Sequence, residues 1–400
     1  MNPIASIRRE AGILWSEGRG PPLGAIAGTW GLLLGTRMIY PVLLPTLRET
    51  FDLSLAVAGL LVTILWLGSA LGQLPSGMLA DRFSERSVMA VGTLVAALGV
   101  SLVVAAPTAA VLFAATALVG LGQSLYPIAR ITILTDMYPD RIGSALGVTM
   151  ATGDLGQTVF PPLAGAVAAA IAWQVGLGMM VPGLVVASVV LVVVLPSQTG
   201  SGETDEGSSG ATVRELIRDL REGDILFFAF ILFLYILVWQ SFTGFYPTYL
   251  AEQKPLSETT AGLLFSLFFA VGVVVKPVAG AAYDRVGPRR SLVAVLSGPV
   301  VGLGLLPVVD SLAGIVVLTA LVSTMLGSGA ITQSFLSEAF SDEARGTGLG
   351  VVRTTAATLG AAGPVLFGVI ADRGFFDEGY FLLAGLMLVI VVLTLRFFDE

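Results

Sequence analysis

Gly77-Met78-Leu79-Ala80-Asp81-Arg82-Phe83-Ser84-Glu85-Arg86 and Gly280-Ala281-Ala282-Tyr283-Asp284-Arg285-Val286-Gly287-Pro288-Arg289-Arg290 are two versions of one phrase. Each sets Gly-x-x-x-Asp-Arg at the end of a long apolar run, and a shift of 203 residues lays the first on the second. The same shift carries Leu53-Ser54 onto Leu256-Ser257 and Ala58-Gly59-Leu60-Leu61 onto Ala261-Gly262-Leu263-Leu264. It also carries Gly143, Gly147, Pro161 and Gly165 onto Gly346, Gly350, Pro364 and Gly368. Matches of Leu or Ala come cheaply in an apolar chain, whereas Gly, Pro, Asp and Arg in one register do not. The chain is a duplicated object, and its function has to be read from two halves.

Composition gives the class. Over 400 residues, 55% are hydrophobic and 12% charged, against a charged share of about 25% in soluble proteins. The mean hydropathy is +0.88. Twelve helices of about 20 residues would use most of the chain and leave short loops. The fold expected is an all-α membrane protein, with twelve transmembrane helices arranged as two pseudo-symmetric six-helix bundles. Cysteine and histidine are both absent, which removes disulfides, His-based proton relays and the usual zinc ligands. No metal or cofactor is expected. A net charge of −7 argues against nucleic acid as a partner.

Residues 1–22 read as a cytoplasmic tail bearing Arg8, Arg9 and Arg19. The apolar stretch that follows runs past Arg37 to Leu47, too long for the core of about 7–15 residues in a secretory signal. Apolar runs at 24–47, 56–79, 88–106, 109–135, 144–171 and 176–195 make a first bundle, residues 23–196. Residues 197–210 are Gly/Ser-rich and acidic, and Thr212-Val213-Arg214-Glu215 reads as a capping box opening a short amphipathic helix. Together they form a cytoplasmic linker, residues 197–222. Runs at 225–250, 258–281, 291–309, 312–336, 347–370 and 379–397 make the second bundle, residues 223–400. Lys and Arg crowd the loops on the side of the repeated phrase, while the other side holds only Arg48, Lys254 and Arg373. By the positive-inside rule both termini are cytoplasmic, and the cell membrane is the expected location.

On these residues the chain resembles the major facilitator superfamily over essentially its whole length. Gly77, Asp81, Arg82 and Arg86, with Gly280, Asp284, Arg285 and Arg289, look like that family's loop signature. Asp136 and Glu338 look like the acidic partners it places at the cytoplasmic ends of helices 4 and 10. The first copy departs at Ser84 and Glu85, where Gly and a basic residue are usual, which leaves the geometry of its turn open. The resemblance implies two bundles rocking about a central site, and secondary transport of a small solute. In physical terms Gly77 and Gly280 permit close helix packing. Asp81 and Asp284 can latch to neighbouring guanidinium groups. The alternative is that the basic residues serve as topology signals alone.

The chemistry is expected where charge enters the apolar runs: Arg37, Arg130, Asp154, Lys276 and Arg353. A charge at the bilayer centre costs at least about 2.5–3.5 kcal/mol, so each needs a cavity or a partner. Under the 203-residue shift Arg37 falls on Gln240, Lys276 on Gln73, and Arg130 on Gln333, or on Thr332 if the register follows Asp136 and Glu338 instead. Polar residues at matched places point to a shared cavity, with Tyr40 and Trp30 on the same side of the first run as Arg37. Arg37, Tyr40, Arg130, Gln240, Lys276 and Arg353 are therefore the candidate substrate ligands. Arg37 either binds cargo or pairs permanently with Asp154; Arg130 and Lys276 either bind it or snorkel toward the interface; Arg353 either binds it or pairs with Glu338 or the linker. Asp154 is the candidate coupling residue, or else a counter-charge for Arg37 or Arg130.

Four interior cations to one carboxylate favour a secondary active transporter that moves a small, carboxylate-like organic anion by alternating access, as a monomer in the bilayer. A proton or sodium gradient would drive it, as in symport. The alternatives are a proton-coupled exporter of amphiphilic drugs acting through Asp154, and a non-transporting sensor on a transporter fold. An enzyme is least consistent, because no nucleophile–base constellation is present.

Overall fold

A chain in lipid has no water to satisfy its backbone, so each apolar run must bond its N–H and C=O groups within its own helix. The computed structural model describes residues 14–15, 18–72, 79, 82–196, 223–329, 331–332, 335 and 345–397, and among them every regular element is helical. In chain order they are α1 Gly20–Phe51, α2 Leu55–Leu71, α3 Glu85–Val104, α4 Ala109–Ser124, α5 Tyr126–Met137, α6 Ile142–Ala170, α7 Trp173–Gly178 and α8 Met180–Val194. There follow α9 Gly223–Glu252, α10 Glu258–Leu305, α11 Leu312–Ser323, α12 Arg345–Gly360, α13 Gly363–Asp372 and α14 Phe376–Phe397. Seven of the described helical stretches are long and apolar enough to cross a membrane. Val186, Val189 and Val193 of α8 point outward at helical spacing, as lipid-facing residues do. The chain is an all-α membrane protein. Gly77, Asp81, Glu338, Gln73, Gln333 and the linker with its amphipathic helix lie outside the described residues.

The chain forms two compact units, Met1–Ile39 with Gly68–Gly202, and Tyr40–Leu67 with Glu203–Glu400. α1 and α2 thus each contribute to both. In the first unit, α1 crosses α6 backbone to backbone, where a methyl group added at Gly156 would collide with the carbonyl of Gly31. Small residues permit such approaches, and close packing is what holds helices together in lipid. In the second unit an aromatic core gathers Phe242, Tyr246, Phe268, Phe367, Phe376 and Tyr380. There Gly59 of α2 lies against Pro364, and Gly368 against the carbonyl of Leu55.

The stretch expected as one helix over 347–370 breaks at Ala361–Ala362. Pro364 cannot donate, and the next N–H, that of Val365, turns to Thr63 Oγ1 at 3.2 Å. At the other end of α13, Asp372 Oδ1 accepts from the Leu55 N–H at 2.9 Å and so caps α2 from a distant part of the chain. Lys254, 6% exposed, donates to the Pro307 carbonyl and to Asp310, each at 2.8 Å, tying together the two connections that flank α10.

The repeated phrase departs from expectation in an informative way. The loop expected between 281 and 291 is almost wholly helical, and Gly287 alone leaves helical geometry, at φ 78° and ψ 174°. Its counterpart under the 203-residue shift is Ser84, which takes φ 86° and ψ 145° despite its side chain. Ser84 compensates by capping α3, its Oγ accepting from the Ser87 N–H at 3.4 Å. Both copies therefore turn at the same place. At Gly280 an added methyl group would meet nothing within 4 Å among the described residues.

Ser84→Gly is expected to raise the apparent melting temperature in detergent, since it relieves strain of about 1–3 kcal/mol and costs only a few tenths of a kcal/mol as a cap. Ser84→Ala keeps the strain, loses the cap and should lower it.

Candidate functional site

Within the first unit the buried charge falls into two tiers on facing helices. Trp30 and Arg37 are seven residues apart on α1, which places them two turns or about 10 Å apart along the axis. Facing them, Gln123 ends α4 while Tyr126 and Arg130 lie in the first turns of α5, after an interruption at Leu125 with Pro127 at the new start.

The Arg37 tier is a hydrogen-bonded clamp. Arg37 Nε donates to Gln123 Oε1 at 2.8 Å, and Nη2 donates to Ser69 Oγ of α2 at 3.0 Å. Gln123 Nε2 donates in turn to the Leu33 carbonyl of α1 at 3.1 Å. The Arg130 tier is an aromatic shelf. Trp30 stacks on Tyr126 with ring centres 5.9 Å apart and planes at 14°, and the Arg130 guanidinium lies over Trp30 at 4.3 Å. Tyr126 donates its hydroxyl to the Ile26 carbonyl at 2.8 Å, which holds the shelf in place. Arg130 is 7% exposed, and its Nη1 donates to Thr149 Oγ1 of α6 at 2.7 Å. Its Nε is buried and finds no acceptor among the described residues. A guanidinium in that condition is held by a cation–π contact and one hydroxyl, and one of its donors is left for an incoming acceptor.

The other expected residues are dispersed. Asp154 of α6 is 8% exposed and accepts from Gln157 Nε2 at 3.4 Å. Tyr40 is buried and belongs to the second unit. There Gln240 is 2% exposed, with no partner for Oε1 among the described residues; its neighbour Trp239 packs edge-on to Trp66 and has a buried indole N–H likewise without an acceptor. Lys276 is half-buried on α10, and Arg353 of α12 reaches the surface. Tyr235 and Tyr246, eleven residues apart on α9, donate or share hydrogen bonds with the Met325 carbonyl and Thr319 within the packed interior.

Of the signature residues, Arg82 is exposed with its guanidinium 5.3 Å from the Phe83 ring centre. Arg86 donates to the Val192 and Leu195 carbonyls at 3.3 and 3.4 Å, a cation closing the C-terminal end of α8. Asp136, Asp284 and Arg285 are exposed, and Arg289 is partly so. Sequence reasoning missed Ser69 and Thr149. Their shifted counterparts, Gly272 and Val352, carry no hydrogen-bonding side chain, so the duplication held no signal for them.

Three comparisons bear on this arrangement. A family model described as Major Facilitator Superfamily matches residues 25–332 and 228–400. The chain is 26% identical over 360 residues to the hexuronate transporter of Bacillus subtilis (strain 168), covering 85% of each chain. It is 25% identical over 277 residues to the nitrite extrusion protein of the same organism, covering 69% of this chain and 67% of that one. Among solved structures, a bacterial homologue of the human lysosomal transporter Spinster, in an inward-facing and unoccupied conformation, aligns with a TM-score of 0.77 at 16% identity, covering 95% of each chain.

Thr149→Val should lower thermal stability by about 1–3 kcal/mol, since it strips a buried guanidinium of its acceptor, whereas Thr149→Ser should not. In an Arg130→Met background the loss should largely vanish; a fully additive loss in the melting curves would mean that Thr149 stabilises the fold by other contacts.

Proposed function

This chain belongs to the Major Facilitator Superfamily, a family of transporters rather than enzymes, and from that premise we propose that it carries a small organic anion across the cell membrane by alternating access. The observation that carries the reading is Arg130, a buried guanidinium on an aromatic shelf with one donor unmatched among the described residues. A cation so placed is costly in an apolar interior unless an anion periodically joins it. Arg37, held about 10 Å further along the same pair of helix faces, is a second point of attraction. The two relatives support an anionic cargo, since hexuronate and nitrite are both anions, and hexuronate is the organic one. The flat indole of Trp30 and the ring of Tyr126 suit a cargo with an apolar or cyclic body beside its carboxylate.

Gln240, Tyr40, Lys276 and Arg353 are proposed as further ligands in the second unit, and Asp154 as the residue that couples transport to a proton gradient. A sodium gradient is the alternative coupling. In this reading the bundles 23–196 and 223–400, joined by the linker 197–222, are the moving parts, both termini are cytoplasmic and the protein acts as a monomer. The paired signature residues Gly77, Asp81, Arg82, Arg86 and Asp136, and Gly280, Asp284, Arg285, Arg289 and Glu338, act in gating.

Uptake into proteoliposomes of a panel containing glucuronate, succinate and benzoate, with and without an inward proton gradient, tests the proposal. Transport of at least one anion is expected, lost in Arg37→Ala and reduced by at least about tenfold in Arg130→Gln, as truncating a buried charged contact does. Asp154→Asn should abolish the response to the proton gradient while leaving anion exchange. Wild-type uptake in both arginine variants would overturn the assignment.

A further inference from the structure

We infer that Trp239 and Gln240 of α9 form a hydroxyl-binding site, and that the anion carried is accordingly a hydroxy acid. The second half rests on the reading of the chain as a carrier of small organic anions; the first stands on the second unit alone. Gln240 is 2% exposed and its Oε1 has no donor among the described residues, while the buried indole N–H of Trp239 has no acceptor among them. Their neighbours on α9 are already spent. Thr243 gives its hydroxyl proton to the Trp239 carbonyl at 2.8 Å, and Tyr235 donates to the Met325 carbonyl at 3.1 Å.

Both residues stand at the seam between α9 and α2. Trp239 packs edge-on to Trp66 of α2, with ring centres 5.0 Å apart. Gly244 shares the face of Gln240 one turn further along, and a methyl group added there would touch Val62 of α2 at 3.4 Å. Val62 in turn lies one turn before Trp66. The seam is therefore shut at Gly244 and Val62, and the two half-buried indoles border its continuation past Gln240.

Chemistry selects the ligand. A donor and an acceptor on adjacent residues are met together by an alcohol, which gives its proton to Gln240 Oε1 and takes that of Trp239 Nε1 on a lone pair, through one hydroxyl or through two on neighbouring carbons. A carboxylate has no proton to give and would leave Gln240 unmet; an ammonium has no lone pair and would leave Trp239 unmet. Neither side chain has to release a described partner in order to bind, so each new hydrogen bond relieves a buried, unmatched group. The apolar ring faces of the indoles suit the C–H surface that a polyol presents beside its hydroxyls.

The test is thermal-shift titration of the full-length protein with two matched pairs, glucuronate against cyclohexanecarboxylate and malate against succinate, and with methyl glucoside as an uncharged polyol. In wild type the hydroxylated anion of at least one pair should reach half-maximal stabilisation at a concentration at least about tenfold below that of its partner. Trp239→Phe keeps a ring and loses the N–H, and Gln240→Met keeps the length and loses the amide; each should bring that pair to within about threefold. Neither substitution removes a described side-chain hydrogen bond, so both variants should melt near or above wild type when unliganded. A merely structural role would move the melting temperature and leave the ratio alone. A wild-type ratio in either variant, or a ratio near one in wild type, overturns the inference. If the ratio falls in both variants while Arg130→Gln binds both members as wild type does, the hydroxyl site stands and Arg130 falls as the anion ligand. Stabilisation by methyl glucoside alone, lost in both variants, keeps the hydroxyl site and overturns the anionic cargo. If nothing in the panel stabilises wild type, both readings fall together.

Discussion

A guanidinium group in an apolar interior is the constraint to which this architecture answers. It carries five donors and a charge that its surroundings cannot hydrate, so every helix facing it must supply oxygen or a ring face. Arg37 draws on α2 and α4 for its acceptors, and Arg130 draws on α1 for a ring and on α6 for a hydroxyl. Five helices, α1, α2, α4, α5 and α6, are thereby tied together by two side chains. The glycine contact between α1 and α6 follows the same logic, since Trp30 and Thr149 reach Arg130 only if their helices approach closely.

The side-chain hydrogen bonds described for Arg37 and Arg130 end on neutral acceptors: Gln123, Ser69 and Thr149 orient the guanidinium groups without bringing a counter-charge of their own. Even two buried opposite charges need further hydrogen bonds to offset their desolvation. In the second unit, by contrast, Arg48 pairs with Glu252 and Lys254 with Asp310, and those cations are consumed in tying connections together. Those two cations lie at or beyond helix ends, whereas Arg37 and Arg130 lie within the apolar runs.

Much of the fold was legible because the duplication repeats what the backbone requires. The apolar spans follow from run length, whereas the break before Pro364 falls inside a stretch that read as one helix, and the shared turn at 84 and 287 shows only in the backbone. The candidate arginines were legible for a related reason: a charge in an apolar run is conspicuous against its surroundings. Their partners were not. Ser69 and Thr149 are small polar residues that many transmembrane helices carry, and nothing in spacing says which of them will meet an arginine across a helix interface; Gln123 shares a helix face with Tyr126 and Arg130 by spacing, but its partner Arg37 does not follow from that.

The contrast between two matched pairs explains where function can reside. Ser84 and Gly287 differ in side chain and agree in backbone, so strongly that serine accepts a conformation suited to glycine and recovers part of the cost through its own hydroxyl. Arg37 and Gln240 occupy equally matched positions and differ in everything a ligand would sense: one offers donors and charge, the other a buried carbonyl oxygen with no described partner. A backbone constraint shared by both copies marks what the fold cannot do without. A side-chain difference at a matched, buried position is not a demand of the shared backbone, and under the proposed function such positions are where the two halves would differ toward cargo.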